Sequence, residues 1–234
     1  AGLAALRTGA DWVTVAVPEK VGWAITALTP DLVVKKYKGD DFCAARAKDV
    51  LKFEKNFNAV LIGNGIGMHS KSFVKKYVRE SKKPLVIDAD ALKSIKLQDI
   101  KNSILTPHKK EFSILLKNSK LNKNNYGKHL GNNIILLKGP VDQIISTSKT
   151  YYNKTGNAGM TKAGTGDVLA GLCAGFLGQG MSLFQSAVNA AYFNGLIGDI
   201  LLKKKKGFTY LASDMVWEIK KVLTKQPKQP QQAL

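Results

Sequence analysis

Ala59-Val60-Leu61-Ile62-Gly63-Asn64-Gly65-Ile66-Gly67 joins four apolar residues to three glycines set two apart. A short unbroken apolar run reads as a buried strand, and glycines directly behind it allow a ligand to approach the backbone. The same grammar recurs along the chain. Strand candidates are residues 12–17, 59–62, 85–87, 103–105, 134–137 and 143–146. Helical stretches are expected at 41–53, 70–81, 110–118, 166–179, 182–202 and 212–223, with a short Ala/Leu helix within 1–11. This alternation predicts an α/β fold, a central mostly parallel sheet flanked by helices on both faces. Residues 1–225 read as one domain without internal repeats. Residues 226–234, rich in Gln and Pro, read as a flexible tail.

Composition narrows the function classes. With 36 Lys and Arg against 17 Asp and Glu, the 234-residue chain carries a net charge of +19. A basic surface attracts phosphates, polynucleotides included. The lysines are scattered, however, and the densest run, Lys203 to Lys206, stands before Gly207 and reads as an exposed loop. No RNA-binding aromatic motif, zinc finger or helix-turn-helix pattern accompanies it, so the charge points to small polyanions rather than nucleic acid. No stretch approaches the roughly 18 apolar residues of a membrane span, and no basic leader with a cleavage pattern is visible. Cys43 and Cys173 lie far apart without metal-ligand spacing and are expected to be buried thiols in a reducing compartment, the cytoplasm.

In an open α/β sheet the ligand crevice lies beyond the carboxyl ends of the strands, and four such places carry unusual residues. Gly164-Thr165-Gly166-Asp167 opens a helix. Glycines there turn backbone N–H groups toward an anion, and the helix start adds positive potential. Asp167 then serves as an ordinary N-terminal carboxylate or as a base acting on a hydroxyl. The triple-glycine turn at 63–67 is neither GxGxxG nor a Walker A loop. Thr106-Pro107-His108-Lys109-Lys110-Glu111 ends a strand at its proline and presents His108 and Glu111, which equally suit a surface histidine and a first-turn glutamate. Lys138-Gly139 suits a phosphate, or a snorkelling lysine. Asp88-Ala89-Asp90 adds two carboxylates where a helix cap or a metal-linked water network would put them.

Taken in order, these segments resemble the ADP/ATP-dependent NAD(P)H-hydrate dehydratase family, a branch of the ribokinase-like superfamily. The family pattern runs GPGLG, DADAL, TPHxxEF, a strand ending KG, and a GN-PGM block followed by GGTGDVLAG. Here stand Gly63 to Gly67, Asp88-Ala89-Asp90-Ala91-Leu92, Thr106 to Phe112, Lys138-Gly139, Gly156-Asn157-Ala158-Gly159-Met160 and Gly164 to Gly171. The resemblance covers nearly the whole chain and implies a ribokinase-like fold. It also implies a lyase of metabolite repair: phosphorylation of the hydroxyl of hydrated NADH or NADPH by ADP or ATP, then loss of phosphate. Asp167 would be the catalytic base, and Gly67, His108 and Asp167 would contact the hydrate. Lys138, Gly139, Pro140, Val141 and Asp142 would lie along the nucleotide, with Gly164, Thr165 and Gly166 as the anion hole. His108-x-x-Glu111 is similar to the superfamily's Asn-x-x-Glu motif, so Glu111 would organise Mg²⁺ through water. A homo-oligomer, often a tetramer, is also implied.

Departures from the pattern carry their own expectations. Asn64 replaces a proline and should loosen its loop. Lys109-Lys110 replace a more usual Pro-Gly. Ala163 replaces the first glycine of GGTGD and would hinder the turn if that position needs positive φ. The family's opening strand and its glycine-rich turn have no counterpart, which would leave a sheet edge unpaired. A ribokinase-like kinase for a vitamin-precursor alcohol, or a non-catalytic nucleotide- or nucleic-acid-binding protein, are the competing readings.

Overall fold

The structure, a computed structural model, describes residues 1–224, so the tail expected at 226–234 lies outside the described residues. The chain opens with α1 (Gly2–Arg7) and a βαβ unit of β1 (Thr14–Pro18), α2 (Glu19–Leu28) and β2 (Val33–Tyr37). After α3 (Ala47–Phe53), strands and helices alternate as β3 (Val60–Ile62), α4 (Lys71–Glu80), β4 (Leu85–Ile87), α5 (Ala89–Leu92), β5 (Ser103–Leu105) and α6 (Lys109–Ser119). β6 (Ile134–Leu137), β7 (Asp142–Ile145) and β8 (Thr150–Asn153) follow, then three helices, α7 (Thr165–Gly178), α8 (Leu183–Lys204) and α9 (Ala212–Leu223). β3 to β8 lie side by side in chain order. The first four are parallel, and β7 and β8 fold back antiparallel.

Residue alternation explains why these strands are apolar throughout. Val86, Ile104, Ile134, Leu136 and Ile144 face one core with buried residues of α7, α8 and α9, such as Leu172, Ile197 and Ile219. Leu85, Ile87, Leu105 and Ile135 face a second core with Phe73 and Tyr77 of α4, Leu92 of α5 and Leu115 of α6. A sheet covered on both faces leaves no polar side for a strand to show. Each such side chain contributes about 2 kcal/mol on burial.

All six expected strands form, with ends shifted by at most two residues. The first does not join the main sheet: β1 pairs in parallel with β2 alone. Val-Val-Lys-Lys-Tyr of β2 and Thr-Tyr-Tyr-Asn of β8 escaped the apolar-run criterion because most of their side chains remain accessible. α2 was likewise unexpected, since Pro18 stands at its N-cap and it buries only Gly22. A Cβ at Gly22 would stand 2.7 Å from Lys36 Cγ, which shows how closely α2 lies on β2. The Lys203–Lys206 run is not a loop at its start. α8 continues through Lys204, which pairs with buried Glu218 of α9, while Lys205 lies 4.0 Å from Asp214. Lysines at a helix C-terminus also suit its negative end.

Of the two cysteines only Cys173 is buried; Cys43 is exposed, contrary to expectation. It precedes a short 3₁₀ turn, and hydrogen bonding to the Arg46 backbone lowers its pKa below the ordinary thiol value, whereas burial raises that of Cys173. Iodoacetamide at pH 7.5 should therefore modify one thiol of the folded protein, located by peptide mass mapping at Cys43; early labelling of Cys173 would contradict this packing. Gly63 has φ +128°, and a Cβ there would stand 1.8 Å from the Asp88 carbonyl oxygen. Gly63→Ala should lower unfolding free energy by about 3 kcal/mol, from combined backbone strain and overpacking, as read by urea denaturation.

Candidate active site

In-register parallel strands bring the residues that follow them into a row. Ile62, Ile87 and Leu105 are register partners, so Gly63-Asn64, Asp88 and Thr106 emerge side by side at one sheet edge. Backbone bonds extend the row: Asp88 N–H donates to Ile62 O, Thr106 N–H to Ile87 O, and Lys138 N–H to Pro107 O at 2.9 Å. His108 and Lys138 form an isolated parallel bridge at its end.

Asp88 is the centre of this row and only 3% exposed. It occupies the N-cap position of α5, yet its side chain caps nothing. Its carboxylate instead accepts from Thr106 Oγ1 at 2.8 Å, Lys138 Nζ at 3.1 Å and Asn64 Nδ2 at 2.9 Å. Asp90, its sequence neighbour, pairs with Lys93 at 2.8 Å. Lys138 Nζ also lies 3.7 Å from Glu111. Glu111 is itself buried and forms a capping box with His108: His108 N–H donates to Glu111 Oε2 at 2.9 Å, and Glu111 N–H donates to His108 Nδ1 at 3.2 Å. The imidazole thus starts α6 through Nδ1 and is about half exposed.

The start of α7 closes over the same cluster. Gly164 carries φ +88°, while Ala163 does not have positive φ, so the alanine leaves the turn unhindered. Thr165 Oγ1 donates to the carbonyls of Met160 at 2.6 Å and Lys162 at 2.8 Å, and its N–H to Lys162 O. The Thr165 hydroxyl therefore builds the turn. Val168 N–H bonds to Gly164 O, leaving the Gly166 and Asp167 N–H groups without a backbone acceptor among the described residues. Lys138 Nζ stands 3.6 Å from where a Gly166 Cβ would be, and Asn64 Nδ2 donates to Asp167 Oδ1. Asp167, Gly166, Lys138, Glu111 and His108, which come from three separate stretches of sequence, thus converge around Asp88.

The remaining site candidates are placed more loosely. Gly67 has φ +74° and open space where a side chain would be, as does Gly65 at φ +68°. Gly139, Pro140 and Val141 form an exposed turn after β6. Asp142 faces back into that turn, accepting from Gly139 N–H at 3.0 Å and Asn153 Nδ2 at 3.2 Å, and burial pushes its carboxyl pKa up. Sequence reasoning missed two members of the cluster. Thr106 looked like a strand terminator, and Asn64 was expected to loosen its loop, whereas it ties that loop to both Asp88 and Asp167. The signal was available in principle: a polar residue among glycines, in register with a strand-end carboxylate.

No group of three or more His, Cys, Asp or Glu able to hold a metal ion occurs among the described residues. Asp88 and Glu111 already share Lys138, so the protein forms no closed cation cage. That donor set fits Mg²⁺ held mainly by phosphate oxygens and its own waters, with one or two carboxylates beyond them.

A family model described as NAD(P)H-hydrate dehydratase matches residues 1–221. The chain belongs to this family. It is 36% identical over 241 residues to the bifunctional NAD(P)H-hydrate repair enzyme of Methanothermobacter thermautotrophicus, covering 95% of this chain and 46% of that protein. With the ADP-dependent (S)-NAD(P)H-hydrate dehydratase of Natrialba magadii it shares 32% over 222 residues, covering 95% and 85%. The chain thus spans about half the length of the bifunctional curated relatives it matches. A ribokinase-like superfamily protein of Enterococcus faecalis superposes with a TM-score of 0.79 at 24% identity, covering 96% of this chain and 80% of its own. The family member therefore has the ribokinase-like fold expected of it. No helix of the described residues is long and apolar enough to cross a membrane.

Among the described residues Lys138 is the one cation in contact with buried Asp88, so its loss should be felt in stability. Lys138→Met should cost about 2–4 kcal/mol in urea denaturation at pH 7, from leaving a buried carboxylate short of its counter-charge. Adding Asp88→Asn should recover part of that loss. A Lys138→Met protein as stable as the parent would show that the ammonium does not hold the cluster.

Proposed function

We propose that the chain restores NADH and NADPH from their hydrates, using ADP or ATP as phosphoryl donor. The supporting observation is that Lys138 stands beside Gly166 at the start of α7, one residue before Asp167. A helix N-terminus with two free N–H groups, a lysine ammonium beside it and a carboxylate one residue on is what transfer of a phosphoryl group to a hydroxyl requires.

Hydroxide leaves a ring carbon poorly, and phosphate leaves well. Asp167 takes the proton of the hydrate hydroxyl as its oxygen forms a bond to the terminal phosphorus. The bond between that phosphorus and the bridging oxygen of the nucleotide breaks, releasing AMP from ADP or ADP from ATP. The ring nitrogen's electron pair then expels phosphate, and a proton leaves the adjacent carbon to restore the dihydronicotinamide. Gly164, Thr165 and Gly166 set the turn whose amides face the phosphoryl oxygens, with Lys138 adding charge stabilisation. Lys138 to Asp142 flank the nucleotide, and Gly67 and the half-exposed His108 contact the hydrate. When bound, Mg²⁺ supplies screening of the phosphate charge, with Glu111 directing one of its waters. A homo-oligomer belongs to the same reading, since Trp12, just before β1, and Trp23 and Leu28 of α2 expose apolar surface that a subunit contact would cover. The cytoplasm is the compartment that fits these substrates.

Incubation with hydrated NADH, Mg²⁺ and either nucleotide should restore absorbance at the reduced-cofactor band and release inorganic phosphate. No recovery with either donor would overturn the proposal, and accumulation of a phosphate ester would replace it by a kinase. Asp167→Asn keeps an acceptor oxygen for Asn64 and should lower kcat by at least about 10²-fold, the effect of removing a general base, with folding intact by circular dichroism. An unchanged rate would refute the role of Asp167.

A further inference from the structure

Among the described residues Asn64 is the only side chain hydrogen-bonded to both Asp88 and Asp167, residues 24 and 103 positions away in sequence. Its primary amide has two N–H donors, and each is given to a different carboxylate. Ionised carboxylates only accept, so the NH₂ group and not the amide oxygen must face them; the opposite orientation would set three acceptors against one another. Asn64 Oδ1 is buried and has no partner. An amide that leaves its acceptor unmatched in this way is held by what its donors bind.

The backbone allows it little freedom. Gly63 (φ +128°) packs against the Asp88 carbonyl and holds the loop at that end. Asp88 is in turn held by Thr106 and Lys138. Asn64 therefore links the first turn of α7 to the rigid ends of the strands.

We infer that Asn64 is a positioning residue for the reaction: it immobilises Asp167 through Oδ1, so that Oδ2 alone is presented to the substrate hydroxyl. This role rests on the proposed assignment of Asp167 as base. A base acts only from a narrow range of positions, and a displacement of about 1 Å costs up to about 10²-fold in rate. An untethered aspartate can rotate both oxygens out of line, and it loses the donor that distinguishes them.

Asn64→Ala should lower kcat by about 30-fold while the KM values for nucleotide and hydrate change less than about threefold. Asn64→Ser, too short to reach both carboxylates yet suited to a loop, should behave alike and covers the case in which the alanine variant fails to fold. In an Asp167→Asn background, Asn64→Ala should change the residual rate by less than about twofold, because the group it positions is gone. Asn64 variants that keep the parental kcat, or that lower the rate equally in both backgrounds, would overturn the inference. If the parent protein turns over neither hydrate with either donor, the dehydratase reading fails by itself. The tether is then decided by thermal unfolding of Asn64→Ala, Asp167→Ala and the double variant. Departure from additive Tm shifts supports it, and strict additivity refutes it.

Discussion

A carboxylate removed from water must be given donors by the protein, and Asp88 gathers them from every neighbouring strand end: Asn64 after β3, Thr106 after β5 and Lys138 after β6. The desolvation of that single charge is the constraint that the rest of the site obeys. It selects glycine at 63, because the Asp88 backbone passes where any side chain would stand. It also draws Lys138 inward across the sheet edge, where its ammonium reaches both Glu111 and the space beside Gly166.

Such a network gives the crevice rigidity without a large cavity. The strand ends are fixed by parallel pairing and by two apolar cores, one on each face, so the polar groups above them cannot drift apart. Three loops that would otherwise move independently are joined by side-chain bonds to one buried anion. Displacing Lys138 toward a phosphate would leave Asp88 with two neutral donors, so ligand charge and the internal ion pair compete for the same ammonium. On the proposed reading, nucleotide binding would be coupled to the stability of the site, as linkage requires of any ligand that exchanges partners with a buried group.

α7 supplies the other half of the candidate site. Its first turn is shaped by Gly164 and anchored by Thr165, whose hydroxyl grips two carbonyls of the preceding loop. Among the described residues the amides of Gly166 and Asp167 have no backbone acceptor, and Lys138 stands beside Gly166. Fixed dipoles aimed at a point where negative charge accumulates need no reorganisation during reaction, which is why a turn can matter as much as the side chain it carries.

The order of elements was legible in the sequence because burial writes itself locally. Apolar runs at 59–62, 85–87, 103–105 and 134–137 are strands because both sheet faces are covered, and the residues after them share one edge of the sheet because parallel strands end together. β2 and β8 were not legible, since their side chains stay largely accessible and leave no apolar run. Nor could local pattern give the pairing of β1 with β2 apart from the main sheet. The sequence alone thus determined the fold class, the family and the strand-end segments in which to look. Tertiary structure decided which side chains meet: Asn64 with Asp88 and Asp167, His108 as a cap for α6, and Thr106 as a donor rather than a mere strand terminus. The bonds of Thr106, Asn64 and Lys138 to Asp88 and of Asn64 to Asp167 join residues 18, 24, 50 and 103 positions apart, and their partners are set by strand register and helix placement, which no local spacing records.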